Sequence, residues 1–227
     1  MKQSMLFLLA IAVACHPANN QNTITMEKTL SAGLPTIGIL IFDGFLSNEI
    51  VAPIDVFSKK DSLDQTLFNV VLIADEDRHY ISEEGLKVIP DFTITNSPML
   101  TVLVIPSSMN PDEQVKDSHL IEFIKEQSRA TDYIASHCAG AFLLGESGVA
   151  DGKKIVTYCG GSQSLQQDYP SLLVQDDHQN SVIQDGKIIS SNGNLVSYLA
   201  SLDLLELMSS TAHRHHVENE LLIHKLK

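Results

Sequence analysis

Residues 36–42 read Thr-Ile-Gly-Ile-Leu-Ile-Phe, with no charge and no polar alternation. A run of this kind has no solvent-facing side, so it suits a strand covered on both faces, as inside a parallel sheet. Comparable apolar runs at 68–74, 101–106 and 133–136 predict further strands. Helical patterns lie between them: 48–58, broken by Pro53, and 117–129, with Leu120, Ile121, Phe123 and Ile124 on one side. Shorter strands are expected at 154–157, 181–184 and 187–191, the last two joined by the turn dipeptide Asp185-Gly186. A strongly apolar helix over 195–208 and a polar one over 211–227 complete the chain. Strands alternating with helices define an α/β fold: a doubly wound, mostly parallel sheet with helices on both faces. Its active groups belong at the C-terminal strand ends.

Composition narrows the function classes. The 227 residues suffice for one full α/β core, and 44% apolar with 19% charged residues excludes general disorder. A formal charge of −13 with only 15 Lys and Arg argues against nucleic-acid binding, which needs a basic face. The first residues are a separate object. Lys2 precedes an apolar run from Met5 to Ala14 that is too short to span a bilayer but has the length of a signal-peptide core. Ala12-Val13-Ala14-Cys15 resembles a bacterial lipobox, with Ala12 where leucine is usual. On this reading 1–14 is a signal peptide, Cys15 is lipidated, 15–33 is a polar tether and 34–227 is the folded domain. The location is then the bacterial cell envelope, facing the periplasm and held by the lipid. The alternatives are an ordinary secretory signal cut nearby and a buried N-terminal helix. With Cys15 lipidated, Cys138 and Cys159 are the thiols left to the domain, in a compartment that permits disulfides.

The segment Tyr133-Ile-Ala-Ser-His-Cys138-Ala-Gly-Ala-Phe-Leu-Leu144 carries the chemistry. A strand ends, one residue turns sharply, and small residues open an apolar helix, which is the logic of a nucleophile elbow. A thiol at a helix N-terminus meets free N–H groups and positive dipole ends, so Cys138 is expected to be ionised near neutral pH. The ordinary alternative is a buried structural cysteine. His137 precedes it on the strand and is expected to point to the other side.

Three stretches, in order, resemble the ThiJ/PfpI (DJ-one) family, whose fold is flavodoxin-like and amidotransferase-like. They are Ile37-Gly38-Ile39-Leu40 through Glu49 to Val56, Cys138-Ala139-Gly140 through Gly148 to Thr157, and Val182 through Gly193. The resemblance implies that Cys138 is the nucleophile and Glu49 the acid beside it, a carboxyl kept protonated by burial and able to donate to sulfur. Pro106-Ser107-Ser108 stands where the family has Pro-Gly-Gly, so the Ser108 and Ala139 amides would form an oxyanion hole. Cys159 occupies a position where many relatives carry histidine, leaving it as a disulfide partner for Cys138 or a small buried filler. His178, next to Asp177, is the substitute base, or else a solvated loop histidine. A homodimer and a small-molecule ligand are implied as well, and no cofactor.

The function expected is cysteine-dependent chemistry on a small electrophile: a carbonyl, an amide or an isonitrile. Isonitrile hydratases of the family have threonine after the cysteine and aspartate as the acid, where this chain has Ala139 and Glu49. A redox or stress-sensing module that oxidises Cys138 is the second reading. A ligand-sensing domain like those of arabinose-type regulators, without a DNA-binding part, is the third. His213, His215 and His216 lack the spacing of a metal site and are expected on a solvated helix face.

Overall fold

A computed structural model describes residues 28–225. The expected signal peptide, Cys15 and the part of the expected tether up to residue 27 lie outside the described residues. The described end of the tether is bonded to the domain: the Ser31 N–H donates to Asn69 Oδ1 at 2.9 Å, and Lys28 Nζ sits 2.9 Å from Asp91.

The chain runs β1 (Thr36–Leu40), α1 (Ser47–Phe57), β2 (Asn69–Ala74), a small hairpin of β3 (Tyr80–Ile81) and β4 (Lys87–Val88), then β5 (Phe92–Thr93) and β6 (Val102–Ile105). Next come α2 (Pro111–Val115), α3 (Ser118–Ser128), β7 (Tyr133–His137), α4 (Gly140–Ser147), β8 (Lys154–Ile155), α5 (Ser162–Asp168) and β9 (Leu173–Val174). The hairpin β10 (Val182–Asp185) and β11 (Ile188–Ser191), α6 (Val196–Met208) and α7 (Thr211–Glu220) follow. Seven strands form one sheet in the order β10-β11-β7-β6-β1-β2-β5, parallel except for β10. The chain winds outward from β1 through β2 to β5, then returns to β6 on the other side. Right-handed crossovers therefore place α1 and α3 on opposite faces. Accordingly α1 packs with α6, while α2 and α3 pack with α4. The crevice where the winding reverses lies between β1 and β6, the usual ligand position in such sheets.

The apolar runs form strands for the reason their composition gives. All five residues of β1 and all four of β6 are buried, so neither strand has a wet face. α1 continues through Pro53, contrary to the expected break. A proline there removes only the bond to the Glu49 carbonyl, and buried Ile50, Ala52, Val56 and Phe57 hold the helix in place. The 154–157 run is also shorter than expected: β8 pairs with β9 as a separate two-stranded piece and does not join the main sheet. His213 is buried, its Nδ1 3.2 Å from Ser209 Oγ, so the histidine cluster is not a uniformly solvated face. Among the described residues no helix is long and apolar enough to cross a membrane.

Candidate active site

β7 delivers Cys138 to the C-terminal edge of the sheet. The backbone there turns through φ +52°, a left-handed conformation that costs a non-glycine residue energy and aims its side chain off the strand. Neighbours hold the turn from both sides. The Cys138 N–H donates to the Ser191 carbonyl at 2.9 Å, and Thr157 Oγ1 donates to the Cys138 carbonyl at 2.9 Å. The small residue at 140 is needed because a Cβ there would stand 2.6 Å from the Ile105 carbonyl oxygen. The elbow is thus pressed against the end of β6.

Glu49 reaches the same point from the first turn of α1 and is fully buried. Its two oxygens are each engaged by backbone: Ser107 N–H donates to Oε2 at 2.6 Å and Asn194 N–H to Oε1 at 3.1 Å. Burial pushes its pKa up from 4.5 to about 7, against the pull of those two N–H groups; the Glu84 charge adds to the rise, and a hydrogen bond with Cys138 opposes it. Gly193 closes the site from above: a Cβ on it would lie 2.3 Å from Cys138 Cβ and 2.3 Å from Glu49 Oε1. Ser107, Gly193 and Asn194 are thus contributors to Glu49's surroundings. The only sequence signal for them was the serine pair after Pro106 and the glycine turn after β11.

The thiolate expected at neutral pH is not what these surroundings favour. Cys138 is 9% exposed, and burial followed by the Glu49 charge pushes its thiol up to about 11. The Ser107 side chain and the Ala139 N–H pull the other way, but less strongly. Burial explains most of the reversal, and the neighbouring carboxylate adds to it. A helix terminus offers partial charge to the thiolate, whereas burial beside a carboxylate opposes it directly. The pair is therefore a buried acid and a buried thiol at neutral pH, carrying at most one negative charge between them.

The remaining candidates fall into two groups. The Ala139 N–H helps to lower the Cys138 thiol pKa, and Ser108 is buried with its hydroxyl donating to Gln114 Oε1 at 2.5 Å. The Ser107 amide between them is spent on Glu49. Cys159 and Cys138 are both free thiols, but Cys159 is exposed, unlike a buried filler; its sulfur lies 3.7 Å from the Asp177 carbonyl. His178 is an exposed loop histidine, with Nε2 3.5 Å from Asp177. His137 points at Ser191, with Nδ1 2.8 Å from its hydroxyl. A concavity of about 560 Å³ lined by Pro35, Thr101 and Tyr133 lies at the opposite, N-terminal end of the strands, away from this chemistry.

An α/β sheet with a cysteine elbow, a buried acid from the helix after the first strand and backbone amides at the switch point defines an amidotransferase-like protein. The chain belongs to the DJ-1/PfpI family, whose model matches residues 35–207. It is 25% identical over 157 residues to the isonitrile hydratase of Pseudomonas putida, covering 69% of this chain and 64% of that protein, so it spans less than two thirds of the hydratase. It is 26% identical over 141 residues to protein dj-1beta of Drosophila melanogaster, covering 61% and 73%. A ThiJ/PfpI family protein from Pseudomonas syringae shares the fold with a TM-score of 0.73 at 18% identity, covering 92% of this chain and 81% of that one.

Proposed function

We propose that Cys138 adds its thiol across the electrophilic carbon of a small molecule, with Glu49 as the proton carrier, and that an isonitrile is the substrate class to which this pair is best suited. The observation that carries the reading is a buried carboxyl, held by the Ser107 and Asn194 N–H groups beside a neutral thiol, that keeps a share of its protons at pH 7. Such a pair needs no free thiolate. Glu49 gives its proton to the terminal isonitrile carbon while sulfur bonds to that carbon, and the thiol proton returns to the carboxylate. The product is a thioimidate, R–N=CH–S–Cys. Water adds to it, the C–S bond breaks, and an N-substituted formamide leaves as the thiol is restored. The sum is isonitrile plus water to formamide, with no oxidant or metal required. General acid transfer of this kind is most effective when the acid's pKa lies near the working pH. The likeness to isonitrile hydratase supports this substrate class.

Formamide production from an alkyl isonitrile, followed by chromatography, tests the proposal. Turnover by wild type and its complete loss in Cys138→Ala is the expected result. Turnover of a glyoxal but not of the isonitrile would replace the substrate class and keep the machinery. Equal turnover in Cys138→Ala would remove the nucleophile. A redox reading is favoured by one observation. Cys159 is an exposed thiol two residues beyond Thr157, whose hydroxyl touches the Cys138 carbonyl. In the same samples Cys159→Ser leaves turnover intact on the hydratase reading. Peroxide-dependent Cys138–Cys159 pairing in wild type, without turnover, would establish the redox reading instead.

We also propose that Cys15 carries a lipid and holds the domain at the periplasmic side of a bacterial membrane. The support is the short apolar leader ending in small residues before Cys15. Cys15→Ser is expected to move the protein from the membrane fraction to the soluble one. Identical fractionation of mutant and wild type would rule the anchor out.

A further inference from the structure

The register of the sheet sets Ser191 of β11 beside His137 of β7, so both side chains project from the same face of neighbouring parallel strands. Both are buried, His137 at 1% exposure and Ser191 at 0%. Ser191 makes three contacts that bear on the site. Its carbonyl accepts the Cys138 N–H at 2.9 Å, its hydroxyl oxygen accepts the Gly193 N–H at 3.3 Å, and the same hydroxyl lies 2.8 Å from His137 Nδ1. Three residues after Ser191, the Asn194 N–H reaches Glu49.

These contacts run through one oxygen. A hydroxyl has one hydrogen and can accept through its lone pairs. With the Gly193 N–H donating to the Ser191 oxygen, a lone pair and the hydroxyl hydrogen remain, so His137 Nδ1 is bonded to it in either ring tautomer. The other ring nitrogen, Nε2, is buried and has no hydrogen-bond partner among the described residues, so the Ser191 contact is the ring's hydrogen bond there. Burial also holds the imidazole pKa down to about 4, so the ring stays neutral across the physiological range.

We propose that His137 is a positioning residue: by hydrogen-bonding the Ser191 hydroxyl it holds the Ser191 oxygen toward the Gly193 N–H, and so sets the Gly193–Asn194 turn that presses on Cys138 and engages Glu49. The residue before the nucleophile is thereby tied to the acid through β11. The inference rests on the arrangement of the site and not on the reaction carried out there.

The test is an NMR titration of the Glu49 side-chain carboxyl in the reduced full-length protein without substrate, assigned by loss of the signal in Glu49→Gln. Cys138 and Glu84 also face Glu49 and are kept in every variant. In Ser191→Ala and in His137→Phe the Asn194 N–H is no longer held on Oε1. Because that bond favours the carboxylate, both variants are expected to move the Glu49 midpoint to higher pH. The shift in the double variant should be smaller than the sum of the single shifts, since both remove one linkage. His137→Asn, whose amide can donate or accept near the Nδ1 position, should recover most of the wild-type midpoint. Lower melting temperatures with an unchanged Glu49 midpoint would show a purely structural role and overturn the proposal. Additive shifts would do the same. Ser191→Ala removes a single oxygen, so it decides the matter even where His137→Phe fails to fold.

Discussion

Gly193→Ala is expected to lower the stability of the domain by about 2–5 kcal/mol, the sum of a left-handed backbone cost and the strain of overpacking. At roughly 2–4 °C per kcal/mol for a domain of this size, the melting temperature should fall by about 4–20 °C. Gly193 has φ +83°, and its missing Cβ would stand 2.3 Å from both Cys138 Cβ and Glu49 Oε1, with the Cys138 amide nitrogen at 3.0 Å. None of these neighbours is the free end of a flexible side chain. Cys138 is fixed by the elbow, and Glu49 is fixed by two backbone N–H groups. Gly186 is the matched control: its φ is +63°, but the nearest atom to a Cβ there is Lys153 Nζ at 3.6 Å. Gly186→Ala should therefore show the backbone cost of about 1–2 kcal/mol alone. Thermal melts of the two variants side by side isolate the steric part. Equal losses would mean that Gly193 does not approach the thiol and acid this closely.

The second large effect is a dependence of stability on pH that runs opposite to the usual carboxylate case. Glu49 titrates at about 7 in the folded protein and near 4.5 when exposed. Between those values the folded state holds more protons than the unfolded state, so stability falls as pH rises from about 4.5 through 7. The full loss is about 3 kcal/mol, at 1.36 kcal/mol per unit. Cys138, titrating at about 11, adds nothing below the ordinary thiol range near 9. Glu49→Gln removes this slope but brings its own penalty. Both carboxyl oxygens accept backbone N–H groups, so an amide must turn its NH₂ toward either Ser107 or Asn194 and leave a buried donor opposed. That costs about 1–3 kcal/mol at every pH. Urea unfolding should thus find wild type clearly more stable than Glu49→Gln at pH 5, with the gap closing or reversing by pH 8. A gap that stays constant over this range would show that Glu49 ionises normally.

The core strands and the elbow were legible because each is specified locally. The run over 36–42 is apolar on both sides whatever it pairs with, and Cys138-Ala-Gly-Ala carries its own steric instruction, visible in the 2.6 Å approach at Gly140. The short strands β3, β4, β5 and β9 were missed because two-residue pieces are defined by their partners and carry no period. Glu49 could be named from resemblance, but its hydrogen-bond partners could not. Ser107 and Asn194 act through backbone N–H groups, which every non-proline residue possesses, so their side chains carry no trace of the role. The surroundings of Cys138 depart from the expected thiolate for a related reason. The helix terminus is written in adjacent residues, whereas the burial that opposes ionisation comes from the whole fold and the carboxyl that adds to it arrives from 89 positions earlier in the chain.

Both hydrogen bonds to Glu49 span long stretches of chain, 58 positions to Ser107 and 145 to Asn194. Contacts of such separation are made late, because the entropy of closing the intervening loop is lost before any of them forms. α1 and β1 can gather near the start of folding, yet the carboxyl they bury has its second partner only after β11 has entered the sheet beside β7. A nascent chain that has not yet emerged past Asn194 therefore holds a half-satisfied acid and a thiol with no lid over it. The reactive centre is thus assembled only when the last strand is in place, so that a chain stalled or clipped before β11 carries no finished chemistry.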